Sequence, residues 1–302
     1  MKVTVNILQT LTLPDFPSGS SINFHDGRLY IAGDDANYIC VLDEQYQQIG
    51  KISLFEYPEK RIAKTEKADL ETAVIMTSGE DTHLLAFGSA STDNRKRAIS
   101  ILLPAAGQTP DYHKFSSIPY PDHFFRDLHT HQVHTLNIEG ATIIGDQLVF
   151  ANRGNHAHPV NQLLLTRGYF GPQMVSTEMS VATLLLSSNN MSFAGVSELC
   201  YVPARDLLLL TLSSEETMNT TDDGSIGDSY LAWITEASKK ITAPTVQTDG
   251  IINLSDIDNI FHQQKIEGVC VGKDEGDALL LHLVADNDCG DTSVFRVRMQ
   301  LA

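Results

Sequence analysis

Basic residues are scarce in this chain: 21 Lys and Arg stand against 38 Asp and Glu, a formal net charge of −17. Such a surface repels a phosphate backbone or an anionic bilayer, so neither a nucleic acid polymer nor a membrane is an expected partner, whereas cations are. Most of the acidic surplus is expected to serve solubility alone. No apolar run approaches the roughly twenty residues that a membrane-spanning helix needs. The opening MKVTVNILQT lacks the continuous apolar core of a secretion signal. The default compartment is therefore the cytoplasm, or an extracytoplasmic one if a leader has been removed. There are only four cysteines, and Cys200 and Cys270 fall inside apolar stretches, which points to buried reduced thiols rather than a disulfide framework. Glycine-rich phosphate loops, a nucleophile-elbow serine and Cys-x-x-Cys pairs are missing, which removes P-loop NTPases, α/β-hydrolases and zinc ribbons. No Pro/Gly/Ser-rich linker interrupts the chain, so residues 1–302 read as one domain, expected to be monomeric.

What is present is a repeat. IEGATIIGDQLVFANRGN from Ile138 and IEGVCVGKDEGDALLLHLVADND from Ile266 share an acidic residue, an apolar stretch, a Gly/Asp turn, a second apolar stretch and a polar cluster. DLETAVIMTSGEDTHLLAFGSASTDN from Asp69 and VSELCYVPARDLLLLTLSSEE from Val196 repeat the frame, and SSINFHDGRLYIAGDD from Ser20 fits it with serine in place of glutamate. Self-similarity at this spacing is the signature of blades or solenoid turns. Two further apolar runs follow each of the first three hairpins: YICVLDEQ and QIGKISLF, AISILLPA and YHKFSSIPY, NQLLLTRG and SVATLLLS. Four short strands per unit is the content of one propeller blade. The last unit supplies only three, ending at SVFRVRM, and VTVNILQTLTL (residues 3–13) is left over at the other end. The expectation is an all-β, five-bladed propeller of four-stranded antiparallel blades, closed by the N-terminal strand. Two segments depart from the strand pattern: PDHFFRDLHTHQ (residues 121–132) and SDIDNIFHQQ (residues 255–264) have apolar residues at helical spacing. Each predicts a short helix, the first opened by Pro121 and the second by a capping box of Ser255 and Asp258.

In an antiparallel hairpin the start of the first strand lies beside the end of the second. Ser20, Glu71, Glu139, Glu198 and Glu267 should therefore converge at one mouth of the central channel. Around them should lie the clusters at Asp34 and Asp35, Ser89 to Arg95, Asn152 to Asn155, Ser213 to Glu216, and Asp286 to Asp288. Carboxylates crowded around one axis must be neutralised. An oxygen-only ring suits Ca²⁺, which takes six to eight oxygen ligands in flexible geometry. The alternative is that each glutamate caps turn amides or pairs with an arginine such as Arg95 or Arg153. Above the ring, Arg95, Arg153 and Asn152 are candidates for binding an anionic small molecule. Asp93, Glu215, Asp286 and Asp288 are candidates for the base of a hydrolytic reaction. The ion could equally be a structural pin beneath polar loops that bind a small molecule or a protein, or two carboxylates could cleave a glycan. His129, His131, His134, His156 and His158 crowd together, but His129 and His131 fall in a predicted helix, where residues two apart diverge, so a zinc site is not expected.

A serine followed by glutamates at the starts of successive inner strands, with YVPARDLLLLTLSSEE (residues 201–216) in the fourth unit, resembles the five-bladed calcium-activated nucleotidases (apyrases). That resemblance implies a central Ca²⁺ held by Ser20, Glu71, Glu139 and Glu267, and a serine ligand in the fourth blade where the frame here has Glu198. The nucleotidases carry a longer nucleotide-binding segment before the first blade, whereas 19 residues precede Ser20, so nucleotides are expected to be poor substrates. GSASTDNR (residues 88–95) and NIEGATIIGDQLVFANRGN (residues 137–155) are closer to an uncharacterised bacterial family, which implies the fold and no activity.

Overall fold

The structure is a computed structural model that describes residues 3–104, 115–170, 177–187, 193–215, 226–287 and 290–301. After β1 (Val3–Leu13) the strands run in chain order through five sheets. The first holds β2 (Gly19–His25), β3 (Arg28–Gly33), β4 (Tyr38–Asp43) and β5 (Gln48–Ser53). The second holds β6 (Leu70–Ser78), β7 (Asp81–Gly88), β8 (Arg97–Leu102) and β9 (Phe115–Pro119). The third holds β10 (Ile138–Ile144), β11 (Gln147–Asn152), β12 (Asn161–Arg167) and β13 (Glu178–Leu185). The fourth holds β14 (Gly195–Val202), β15 (Leu207–Glu215), β16 (Ile226–Thr235) and, beyond β17 (Thr245–Gln247), β18 (Gly250–Asn253). β19 (Lys265–Asp274), β20 (Ala278–Asp286) and β21 (Thr292–Leu301) make the fifth, completed by β1 in the order β1-β21-β20-β19. The closure runs from Val3 opposite Leu301 to Leu13 opposite Thr292. These are the blades, strands and closing strand that the repeat predicts. One addition was not legible: β17 pairs in parallel with the outer strand β13, so the third blade has a fifth strand taken from the connection that follows β16.

The middle strands read as unbroken apolar runs because they are buried on both faces. Along β3, Leu29 and Ile31 pack toward the fifth blade, beside Val284 and Val294, while Tyr30 and Ala32 pack toward the second, beside Leu84 and Ile99. Along β15, Leu207 and Leu209 join one inter-blade core and Leu208, Leu210 and Leu212 the other. Alternate side chains of one strand thus fill two different wedges, and five such wedges close the ring. The first hairpin turns through Asp26 and Gly27, both at positive φ, the conformation that two-residue hairpin loops favour.

α1 (Asp122–Thr130) forms where the spacing places it, with Phe124 and Leu128 buried against Tyr120 and Phe150. The second predicted helix does not form. Residues 255–264 contain parts of two separate 3₁₀ turns, Leu254–Asp256 and Asn259–Phe261. Their caps are Asn253, accepting from Ser255 N, and Asp258, accepting from Ile260 N, in place of a Ser255–Asp258 box. Leu254 and Phe261 provide the buried contacts, and a 3₁₀ spacing of three serves them as well as a helical one.

His282, 2% exposed, lies between the first and last blades, its Nδ1 2.9 Å from the Tyr46 hydroxyl and its ring stacked on Phe24. Burial, helped by the charge of Arg296, pushes its pKa down to about 4. A neutral His282 is favoured in the fold, so this group's contribution is present above the unfolded value near 6.5 and is lost as pH falls toward 4. The acid limb of a melting-temperature profile between pH 6.5 and 4 should therefore be flatter in His282→Gln than in the parent chain. Parallel profiles would show that His282 does not titrate across folding.

Candidate functional site

Each inner strand begins with an irregularity at one equivalent place. The ladder skips between Gly19 and Ser21, Leu70 and Thr72, Ile138 and Gly140, Val196 and Glu198, and Ile266 and Gly268. The residues left out are Ser20, Glu71, Glu139, Ser197 and Glu267. A bulge leaves one residue unpaired and re-aims its side chain, and here it does so five times at one level of the channel. Ser197 therefore takes the fourth position, and the frame that put Glu198 there is corrected by one residue. Moving one residue along a strand moves a side chain to the other face.

Glu198 belongs to the layer beneath. Its Oε1 accepts from Thr72 Oγ1 at 2.7 Å, Leu199 N at 2.9 Å and Ala141 N at 3.1 Å, and its Oε2 lies 3.0 Å from Ser21 Oγ. One carboxyl thus ties the first four inner strands together across the channel. Burial raises its pKa to about 8, against the lowering effect of these donors. Gly140 makes room for it: a Cβ there would come within 3.0 Å of the Glu198 backbone. Gly268 plays the same part where the fifth blade meets the first, 3.0 Å from Ile22 N. The recurring Glu-Gly pair is a ring residue followed by a point of close strand approach.

Both ring serines bridge to the next blade. Ser20 Oγ donates to Leu70 O at 2.5 Å and Ser197 Oγ to Ile266 O at 2.8 Å, in each case the carbonyl just before the next ring glutamate. Their protons are used in these bonds, so the oxygen lone pairs remain for a cation. Glu139 accepts from Asn137 Nδ2 at 2.6 Å and meets Arg153 at 3.4 Å, while Glu267 meets Lys265 at 2.8 Å. Glu71 lies with Asp34 and Asp69, and one oxygen from each of the three falls within 4.8 Å of the others. Asp69 is held by Arg95 at 2.7 Å and by Lys67 at 2.8 Å, and Lys67 also pairs with Asp34. Arg61 pairs with Asp35 at 2.6 Å and feels Asp286, which in turn bears on Glu267.

Among the described residues this network joins seven carboxyl groups, Asp34, Asp35, Asp69, Glu71, Glu139, Glu267 and Asp286, to five cations, Arg61, Lys67, Arg95, Arg153 and Lys265. Carboxyl groups outnumber cations there by two. The strain falls on the ring. Burial, then the charges of Asp69, Glu139, Asp34 and Glu267, carries Glu71 well above the ordinary carboxylate range. Burial raises Glu267 to about 8, with Lys265 opposing and Glu139 and Asp286 adding to the rise. Buried oxygens Asp34 Oδ1 and Asp35 Oδ1 have no hydrogen-bond donor. An all-oxygen donor set in which carboxyl groups outnumber cations, with an orphaned oxygen at its rim, fits a hard divalent ion.

The predicted anion-binding residues are occupied otherwise. Arg95 is 5% exposed and committed to Asp69 and Ser91; Arg153 is 9% exposed and bridges Glu139 to Ser213 of the next blade. Asn152 is spent within its own blade on Asn137 N, Thr135 O and Gln162. Asp93 is 94% exposed and paired with Lys96, outside the network. Asp286 lies inside it. Glu215 ends β15, and Asp288 lies outside the described residues. Sequence reasoning missed Lys67, Asp69, Asn137, Lys265 and Arg61. Asp69, Asn137 and Lys265 each stand two residues before a ring glutamate, a spacing the repeat frame could have exposed. Among the described residues no histidine joins a three-ligand cluster, and Cys40, Cys200 and Cys270 are free thiols.

Five blades around a channel, with a polar mouth built from bulged inner strands, define a five-bladed β-propeller. The chain belongs to DUF6929, a family of unknown function, which matches residues 15–299. No curated protein matches it. Among solved structures it is similar to the glutaminyl cyclase of Myxococcus xanthus, at 12% identity and TM-score 0.53 over 99% of this chain and 97% of that one. It is also similar to the α-L-arabinanase of Cellvibrio cellulosa complexed with arabinohexaose, at 9% identity and TM-score 0.50 over 93% and 91%. These likenesses establish the fold; function has to be argued from the site. No helix among the described residues is long and apolar enough to cross a membrane.

Proposed function

We propose that the protein holds one Ca²⁺ at the channel mouth and uses it to hydrolyse a small anionic phosphate or carboxyl ester. The observation that carries this reading is the alignment of five bulges at Ser20, Glu71, Glu139, Ser197 and Glu267, in a network where, among the described residues, carboxyl groups outnumber cations. The positions run serine, glutamate, glutamate, serine, glutamate, with the second serine in the fourth blade, where the nucleotidase resemblance implies one. A bound Ca²⁺ would polarise an ester oxygen and lower the pKa of a water. Asp286, at the end of β20 and within reach of the charge of Glu267, would take that water's proton. Lys67 and Arg95 neutralise Asp69 and Asp34, which leaves Glu71 for the ion, while Glu139 and Glu267 would share their charge between the ion and Arg153 and Lys265.

Calcium should stabilise the fold by mass action, by about 2.7 kcal/mol at a hundredfold excess over Kd, and so raise the melting temperature. Glu71→Gln, Glu139→Gln and Glu267→Gln should each lower calcium affinity by no less than the roughly ten- to hundredfold typical of outer-shell substitutions, and so blunt that response. Calcium affinity should also rise with pH up to about 8, as Glu267 gives up its proton. An identical calcium response in all three variants would sink the reading. A second reading, in which the ion or the ion pairs only pin the ring beneath a ligand-binding surface, draws on the Glu139–Arg153 and Glu267–Lys265 pairs. It forecasts calcium binding without turnover of any phosphate or carboxyl ester.

A further inference from the structure

With Arg95 and Arg153 buried in ion pairs, the mouth needs another group to meet an incoming anion, and the connection between β5 and β6 provides one. The Arg61 side chain is 52% exposed, yet it is fixed at two points. Its Nε donates to Asp35 Oδ2 at 2.6 Å and its Nη2 to Ser18 Oγ at 3.3 Å. The backbone beneath it is fixed as well, by a bridge between Ala36 and Arg61 and a bond from Ile62 N to Asp35 O at 2.8 Å. Asp35 is 5% exposed and keeps one oxygen without a donor, so a buried carboxylate is retained with half its hydrogen-bonding capacity unused while it steadies an exposed guanidinium. Surface arginines ordinarily sample many rotamers; this one is held through its Nε and Nη2 while about half of the side chain stays exposed. It belongs to the connection from the first blade to the second and is within reach of the charges of Asp34 and Asp286.

We propose that Arg61 is the anion-binding residue of the channel mouth and that Asp35 is its positioning residue. The ligand they serve is a small molecule whose phosphate or carboxylate group is taken by the Nη1 edge of the guanidinium. This deepens the calcium-centred reading and rests on it for the placement of the anion beside the ion, though not for the contact with Arg61. The fork geometry matters, because a lysine would offer a point charge that Asp35 and Ser18 could not hold in the same orientation.

The test uses the full chain with inorganic phosphate and, in a separate arm, succinate, each titrated calorimetrically with and without calcium. Phosphate or succinate should bind the parent chain, and whichever binds identifies the anionic group. Arg61→Gln should weaken that binding about ten- to a hundredfold, the worth of a charge-assisted bond; because it also leaves the buried Asp35 without its cation, its melting temperature without anion is measured alongside to show that the variant is folded. Arg61→Lys should recover only part of the loss. Asp35→Asn, which frees the guanidinium without removing it, should weaken the anion less than Arg61→Gln. Equal affinity in the parent and Arg61→Gln, or binding of neither anion by the parent, overturns the proposal. Anion binding that depends on Arg61 in a chain showing no calcium response would leave Arg61 assigned and remove the metal reading.

Discussion

A chain beginning at Pro14 should fail to fold cooperatively. β1 is the outermost strand of a blade that otherwise has three, and it is also the link that fastens the two ends of the ring. Val5 and Leu13 are buried, and Val3 and Ile7 pack on the core between the last two blades. At about 1.5–3 kcal/mol for each well-buried aliphatic side chain, their loss together with the ladder approaches the roughly 5–15 kcal/mol that a folded protein has in total. The far-ultraviolet dichroism and melting of the truncated chain are the measurement. A sharp transition within a few degrees of the full chain would show that the ring holds without its closure.

Glu198→Ala should be the most damaging single substitution in the channel. It leaves the amides of Ala141 and Leu199 and the hydroxyl of Thr72 without their acceptor, and the Ser21 hydroxyl without its partner. At about 1–3 kcal/mol for each buried donor left unsatisfied, the two amides, which cannot reorient as hydroxyls can, alone imply a loss of about 2–6 kcal/mol. Glu198→Gln should behave in the opposite way. Oε1 takes three donors and Oε2 only one neighbour, the Ser21 hydroxyl, so a proton on the carboxyl belongs on Oε2, where a glutamine has its NH₂. The pKa of Glu198 is raised from 4.5 to about 8, so its contribution is complete below about 4.5 and is lost as pH rises toward 8. The glutamine variant, which cannot ionise, should match the parent at pH 5 and exceed it at pH 9. A Gln variant less stable than the parent at both values would mean that the carboxylate form is the one the channel holds.

The propeller was legible because inter-blade packing forces the same pattern on every unit: middle strands buried on both faces, hairpins with Gly/Asp turns, polar ends. What could not be read was register to a single residue. Val196, Ser197 and Glu198 offer two adjacent polar side chains, and only strand pairing decides which is bulged out. Choosing the glutamate by analogy with Glu139 and Glu267 moved a cross-channel tie into the ring. Arg95 and Arg153 were placed in the right loops, but their partners Asp69 and Glu139 lie 26 and 14 positions before them in the chain. Spacing alone could not reveal that these charges neutralise each other. Arg61 gave no signal at all, since it lies outside the repeated phrase and owes its role to Asp35 and Ser18. The connection before β19 looked helical because Ile257, Ile260 and Phe261 suit one helix as well as two tighter turns.

The bulges separate two jobs that most strand positions combine. A residue that the ladder skips holds no partner in register, so serine and glutamate can replace one another there without altering the pairing of their neighbours. The five positions form a small interchangeable alphabet mounted on a fixed frame. Related chains could differ in how many carboxylates they present to the channel, and hence in what charge they hold there, while every blade keeps its architecture. For an engineer, these are the five letters to rewrite first.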